Sequence, residues 1–198
     1  MSDIYYTIKG PGQGQYKEKM SRFIAFAAPA ANPDEARSFI KDIQNRYHDA
    51  RHVCWAYMIG PDRTVWQLND NGEPSGTAGK PILGQINSFR LSDVVIAVVR
   101  YFGGIKLGTS GLISAYREAA RLAIEDAGVK EMHQMESITV TFPYQAMNDV
   151  MKIAKRDDVE ILAQTFDNTC SITLSTRQDH FAEISSRLLG IDGVTEAE

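Results

Sequence analysis

Two rhythms of apolar and polar positions run along this chain, and the change from one to the other marks most of its elements. The longest dry run is Val94 to Val99, mostly β-branched, which predicts a strand buried on both faces. Just downstream, Leu112, Tyr116, Ala119, Ala123 and Ala127 recur at helical spacing. They predict a helix from about Thr109, capped by Thr109 or Ser110 and closed by Gly128. Between strand and helix lie Arg100, Tyr101, Phe102, Gly103, Gly104, Ile105, Lys106, Leu107 and Gly108. A dry strand therefore delivers an arginine, two aromatics and a Gly-Gly turn to a helix start, where free amides and the helix dipole favour anions.

The same reading gives the other elements. Ile4–Ile8 is a strand, Gly10–Gly14 a glycine-rich loop and Arg22–Ala27 a second strand. Asn32-Pro33-Asp34-Glu35 opens a helix whose buried face is Ala36, Phe39, Ile40, Ile43 and Tyr47. Val53–Ile59 is apolar on both sides and predicts a central strand, with Thr64–Leu68 paired to it across the Gly60-Pro61-Asp62 turn. Asn69–Pro81 holds too much glycine and proline for a regular element, and Pro81 starts a short helix to about Asn87. Residues 130–137 are polar and lack a period, which places a domain boundary there. Beyond it, Ile138, Val140 and Phe142 alternate as a strand, and Tyr144, Met147, Met151 and Ala154 mark a helix. Val159–Ala163 and Cys170–Leu174 alternate as two strands joined near Asp167-Asn168. Phe181, Ile184 and Leu188 mark a second helix, and Gly193–Ala197 a last short strand. That order is β-α-β-β-α-β, the split ferredoxin-like unit. The expected class is α+β in two domains, residues 1–132 and 136–198.

Composition narrows the function. The chain has 198 residues, 43% hydrophobic and 23% charged, ordinary for a globular protein. No apolar run approaches a membrane span, and Met1-Ser2-Asp3-Ile4 does not begin a signal peptide. Two distant cysteines, Cys54 and Cys170, suit a reducing cytoplasm better than a disulfide scaffold. The net charge of −4 conceals a split. Residues 1–130 carry 16 Lys and Arg against 13 Asp and Glu, whereas residues 131–198 carry 5 against 12. A polyanion would therefore meet the first domain, and the acidic second domain is expected to contact protein or itself.

Several constellations resemble chemistry without completing it. Gly79-Lys80 fails as a P-loop because Pro74 and Pro81 occupy its first glycine and its hydroxyl. Gly103 and Gly108 have P-loop spacing, but Thr109 stands in the lysine position. His48, His52 and Cys54 lack a fourth zinc ligand, and Cys54 sits in an apolar strand that keeps a thiol inert. No catalytic set, metal or cofactor is expected. What remains is the loop with Asp70, Glu73, Ser75, Thr77 and Lys80, flexible enough for close backbone approach to a ligand or else a structural loop packed on itself. Arg100 is the sharpest residue, since a charge directly after a buried strand needs water or a partner. Two readings stay open: an ion pair with Asp70, Glu73 or Asp93, or a guanidinium presented to a phosphate or carboxylate. Arg22, Lys80, Arg100 and Lys106, with Tyr101 and Phe102, would make a basic patch with stacking aromatics. In the second domain, Thr139, Thr141, Ser171, Thr173 and Ser175 share one sheet face, which lacks the aromatics of an RNA-recognition sheet.

At these residues the chain resembles the IMPACT/YigZ family. The matching stretches are Lys19–Phe23, Ala50–Ala56, Asp70–Pro81 and Val98–Gly108, with Asn71 and Ser114 as departures. The resemblance implies a ribosomal-protein-like N-terminal α/β domain and a C-terminal ferredoxin-like domain similar to one in elongation factor G. Its eukaryotic members regulate translation through the kinase pathway that senses amino-acid starvation. The implied function is a non-catalytic, translation-associated factor that binds RNA or the ribosome. The expected binding residues are Arg22, His52, Asp70, Glu73, Ser75, Thr77, Lys80, Arg100, Tyr101, Phe102, Gly103, Gly104, Lys106, Gly108 and Thr109. Two alternatives stand beside it: an enzyme or small-anion binder using the Asp70–Pro81 loop with His52 and Arg100, and a pure protein-interaction module. A pocket joining loop, histidine and arginine favours the first alternative over a flat basic groove.

Overall fold

The computed structural model describes residues 3–167 and 169–197. It is a mixed α/β structure that divides into two compact units, Tyr5–Met132 and residues 133–197 with Asp3 and Ile4. The terminal residues join the second unit because the Gln134 amide donates to the Asp3 carbonyl at 2.7 Å and the His133 ring meets the Asp3 carboxylate at 3.0 Å.

In the first unit, β2 (Gly12–Glu18), β3 (Ser21–Pro29), β4 (His52–Ile59), β5 (Val65–Asn69) and β6 (Val94–Tyr101) form an antiparallel sheet of order β2-β3-β6-β4-β5. The dry run of β6 lies at its centre, and Val94 to Val99 are fully buried. Alternate residues serve different layers. Val94, Ile96 and Val98 pack with α2 (Gly79–Ser88) and α3 (Gly108–Ala127). Val95, Ala97 and Val99 pack with α1 (Pro33–Arg46) on the other face. That double coverage is why β6 has no polar residue before Arg100. α1 starts as its sequence dictates: Asn32 accepts from the Glu35 amide, and Pro33 sits in the first turn.

Two expectations change. Gly10–Gly14 is not wholly a loop, because Gly12 and Gly14 belong to β2. A Cβ at Gly14 would lie 2.6 Å from the Ala123 amide nitrogen, so glycine is what lets this strand lie directly on α3. The aperiodic stretch after residue 128 is also extended, as β7 (Val129–His133), which pairs with β1 (Ile4–Ile8), and β8 (Met135–Phe142). A remote partner strand, not local alternation, makes β7 a strand.

In the second unit, β8 is followed by a 3₁₀ turn (Tyr144–Ala146), α4 (Met147–Ala154), β9 (Val159–Phe166), β10 (Cys170–Arg177), α5 (Gln178–Leu189) and β11 (Thr195–Glu196). The sheet order β11-β8-β10-β9 is that of the β-α-β-β-α-β unit read from the sequence. Ile138, Val140, Phe142, Ile172 and Leu174 meet Val150, Ile184 and Leu188 on one face. The other face carries hydroxyls paired across strands, Thr139 with Thr173 at 2.9 Å and Thr141 with Thr195 at 3.0 Å. Of the β9–β10 junction expected at Asp167-Asn168, Asn168 lies outside the described residues.

Candidate functional site

Strand register assembles the site. Arg100 on β6 lies opposite Phe23 on β3 and His52 on β4, so one row across the sheet presents an arginine, an aromatic and a histidine on the α3 side. The next row inward on that face holds Cys54, opposite Val98. The Asn69–Pro81 loop lies against this end of β4, where the Asn71 carbonyl accepts from His52 Nδ1 at 2.8 Å. A carbonyl can only accept, so His52 carries its proton on Nδ1.

The loop's two carboxylates part ways. Asp70 turns into the loop and accepts the amides of Gly76 (2.8 Å), Ala78 (3.0 Å) and Gly79 (2.8 Å). It thereby caps α2, whose own N-cap Ala78 has no side chain for the task. This is why α2 starts at Gly79 and not at Pro81. Glu73 turns inward and meets Arg100 Nη1 at 2.6 Å, with the two side chains only 3% and 7% exposed. Of the three acids open to Arg100 from the sequence, Glu73 is the partner; Asp93 instead accepts the Gly60 amide at 2.8 Å. Tyr116 of α3 donates to the same Glu73 oxygen at 2.8 Å, and Cys54 donates to the Asp70 carbonyl at 2.9 Å. Burial pushes the Cys54 thiol up to about 12, so it remains a neutral thiol and not a nucleophile.

Above the ion pair opens a cleft of about 440 Å³. It is lined by Arg51, His52, Glu73, Pro74, Arg100, Phe102, Lys106, Leu107, Gly108, Thr109 and Leu112. The cleft thus brings together seven residues singled out from the sequence: His52, Glu73, Arg100, Phe102, Lys106, Gly108 and Thr109. Two features give it a chemical preference. The guanidinium of Arg100 is buried, yet its Nε has no hydrogen-bond partner. In addition, α3 starts here without a cap. Neither Thr109 nor Ser110 serves as one, since the helix begins at Gly108, the N-cap is Leu107, no side chain bonds the first-turn amides and no acid occupies that turn. A buried guanidinium nitrogen without an acceptor, near exposed helix-start amides that no side chain bonds, marks a place for an anion.

Other expected residues stand elsewhere. Lys80 lines a separate hollow with Arg117 and Gln85 and does not join the cleft. Ser75 is exposed, and Thr77 is buried with its hydroxyl on the Pro74 carbonyl at 2.6 Å. Arg22 and Tyr101 stack at 4.9 Å and border, with Lys17 and Met20, a shallow hollow that shares Phe102 with the cleft. Gly103 presses on the next turn, where a Cβ would fall 2.0 Å from the Met20 carbonyl carbon, and Gly104 follows with φ of 87°. Arg51, Pro74, Leu107 and Leu112 were not singled out from the sequence as binding residues. Arg51 adjoins His52 in the Ala50–Ala56 stretch, whereas Leu112 falls on the apolar face of α3. Among the described residues, no cluster of three or more metal-ligating side chains occurs, and no helix is long and apolar enough to cross a membrane.

Comparison with known proteins settles the relationship. Residues 19–124 match the model of the Impact N-terminal domain. The chain belongs to the IMPACT family. An IMPACT family member of Bacillus subtilis, YvyE, is 39% identical over 73% of this chain and 66% of its own length. The IMPACT family member YigZ of Escherichia coli is 30% identical over 86% of this chain and 84% of its own. A crystal structure of a hypothetical protein, 26% identical, covers 99% of the chain with a TM-score of 0.75. The span of the IMPACT match contains every residue of the cleft.

Proposed function

We propose that this protein is a translation-associated, non-catalytic factor whose first domain binds RNA, with the cleft receiving phosphate. The observation that carries the reading is the buried Arg100 donor without an acceptor, in a cleft lined also by the uncapped start of α3. An anion there would meet Arg51, Lys106 and first-turn amides together. Phe102, 51% exposed at the rim, offers a base a stacking face, and Lys17 and Arg22 beyond it extend the positive track. The first domain's modest positive balance suits a short contact and not a long groove. Neutral Cys54 and the fully engaged Asp70 are not poised for nucleophilic chemistry, which supports binding over catalysis.

The small-anion reading keeps one observation in its favour, the shape of the site, which is a cleft and not a flat surface. Binding of a short single-stranded RNA at increasing salt separates the two. A clear negative slope of log K on log salt is expected for RNA, made shallower by Arg22→Ala, while Phe102→Ala weakens binding with the slope kept. A flat salt dependence overturns it. Co-sedimentation with ribosomes, reduced by Lys106→Ala, tests the translation role.

A further inference from the structure

The walls of the cleft specify its ligand more narrowly than RNA. Arg51, Arg100 and Lys106 bring three fixed positive charges, and Glu73 brings one negative charge that is already bonded to Arg100 and Tyr116. The surplus is two. A phosphodiester inside a strand carries one negative charge, whereas a phosphate monoester near neutral pH carries close to two. The floor is the Arg100–Glu73 pair, both residues buried, and a volume of about 440 Å³ holds a body of nucleotide size. Pro74, Phe102, Leu107 and Leu112 supply an apolar wall for a flat body, with the phosphate toward Arg100 and the start of α3.

We infer that the cleft is a pocket for a phosphate monoester on a flat, nucleotide-like body, filled by the phosphorylated end of an RNA strand. The inference rests on the RNA reading for the source of the monoester, but not for its chemistry. A free mononucleotide has the same chemistry and is separated from a strand end by the probes. Arg100 and Glu73 hold the floor, Lys106 and Arg51 close on the phosphate from the rim, and Phe102 covers the first base.

The test uses the full chain and one short RNA prepared with a 5′-phosphate, a 3′-phosphate, hydroxyl ends, or a 5′-phosphate blocked as its methyl diester. Adenosine 5′-monophosphate and inorganic phosphate serve as competitors. One phosphorylated end is expected to bind at least about tenfold more tightly than hydroxyl ends or the diester, as loss of a charge-assisted contact implies. Adenosine 5′-monophosphate is expected to compete more strongly than inorganic phosphate. Lys106→Ala, a rim change that spares the core, is expected to abolish the preference for the phosphorylated end, while Lys41→Ala on α1 retains it. Equal binding of all four RNAs, with Lys106→Ala weakening them alike, overturns the monoester pocket and leaves RNA binding standing. Binding of adenosine 5′-monophosphate without any RNA supports the pocket and overturns the RNA reading. Binding of none of the probes overturns both.

Discussion

The two sheets treat polar residues in opposite ways. The five-stranded sheet is covered on both faces, so its central strand is wholly apolar until Arg100, and that charge needs a buried acid, a tyrosine and a loop to hold it. The four-stranded sheet has its hydrophobic core on one face. Its other face carries threonines that satisfy one another in pairs. An ion pair in a dry interior is a costly arrangement compared with apolar packing, whereas hydroxyls on a half-exposed face cost little. The expensive arrangement is therefore the informative one. It sits where an uncapped helix and a glycine-rich loop meet, and the second sheet has nothing comparable among its described residues.

That contrast can be broken by mutation. The largest effect is expected from Glu73→Ala, which strands Arg100 without its partner and should lower stability by about 3–5 kcal/mol in urea unfolding followed by tryptophan fluorescence. Both tryptophans, Trp55 and Trp66, lie in the first domain, so the signal reports that domain alone. Glu73→Gln keeps an acceptor and should cost less. Asp70→Ala removes the acceptor of three loop amides and should cost about 2 kcal/mol on the same assay, with faster hydrogen exchange at Gly76, Ala78 and Gly79. In the second sheet, Thr173→Ala deletes one cross-strand hydroxyl pair and should cost at most about 1 kcal/mol, read by hydrogen exchange of β10.

The smallest effect concerns acid. Arg156 holds the Asp158 and Glu183 carboxyls below their usual values through hydrogen bonds. A carboxyl lowered by folding adds stability above its unfolded value and loses it as pH falls through its folded value. The second domain should therefore weaken slightly below the usual carboxylate range, and Arg156→Ala should remove that acid-side loss. An unchanged acid limb in the variant would show that this exposed network is fully screened.

The element pattern was largely legible because it is local. The run Val94–Val99 can satisfy no other arrangement than a strand dry on both faces, and Asn32-Pro33-Asp34-Glu35 carries its own start signal. The misreadings share one cause. Gly12 and Gly14 look like loop until α3 lies across them, and β7 looks aperiodic until β1 pairs with it. The candidate site was legible in part for the same reason. Arg100, Lys106, Gly108 and Thr109 are close in sequence, and the oddity of a charge after a buried strand is visible without coordinates. Arg51 and Leu112 join the cleft only through sheet register and helix placement.

Sequence alone determined most of the strands and helices, where the charge divides and that Arg100 needed water or a partner, because propensity, periodicity and desolvation act at a residue and its near neighbours. Tertiary structure alone decided that Glu73 and not Asp70 or Asp93 answers Arg100, that Lys80 stands apart, and that α3 opens uncapped into a cleft. Those choices depend on which side chains reach the same few ångströms from distant parts of the chain, and no local rule carries that distance.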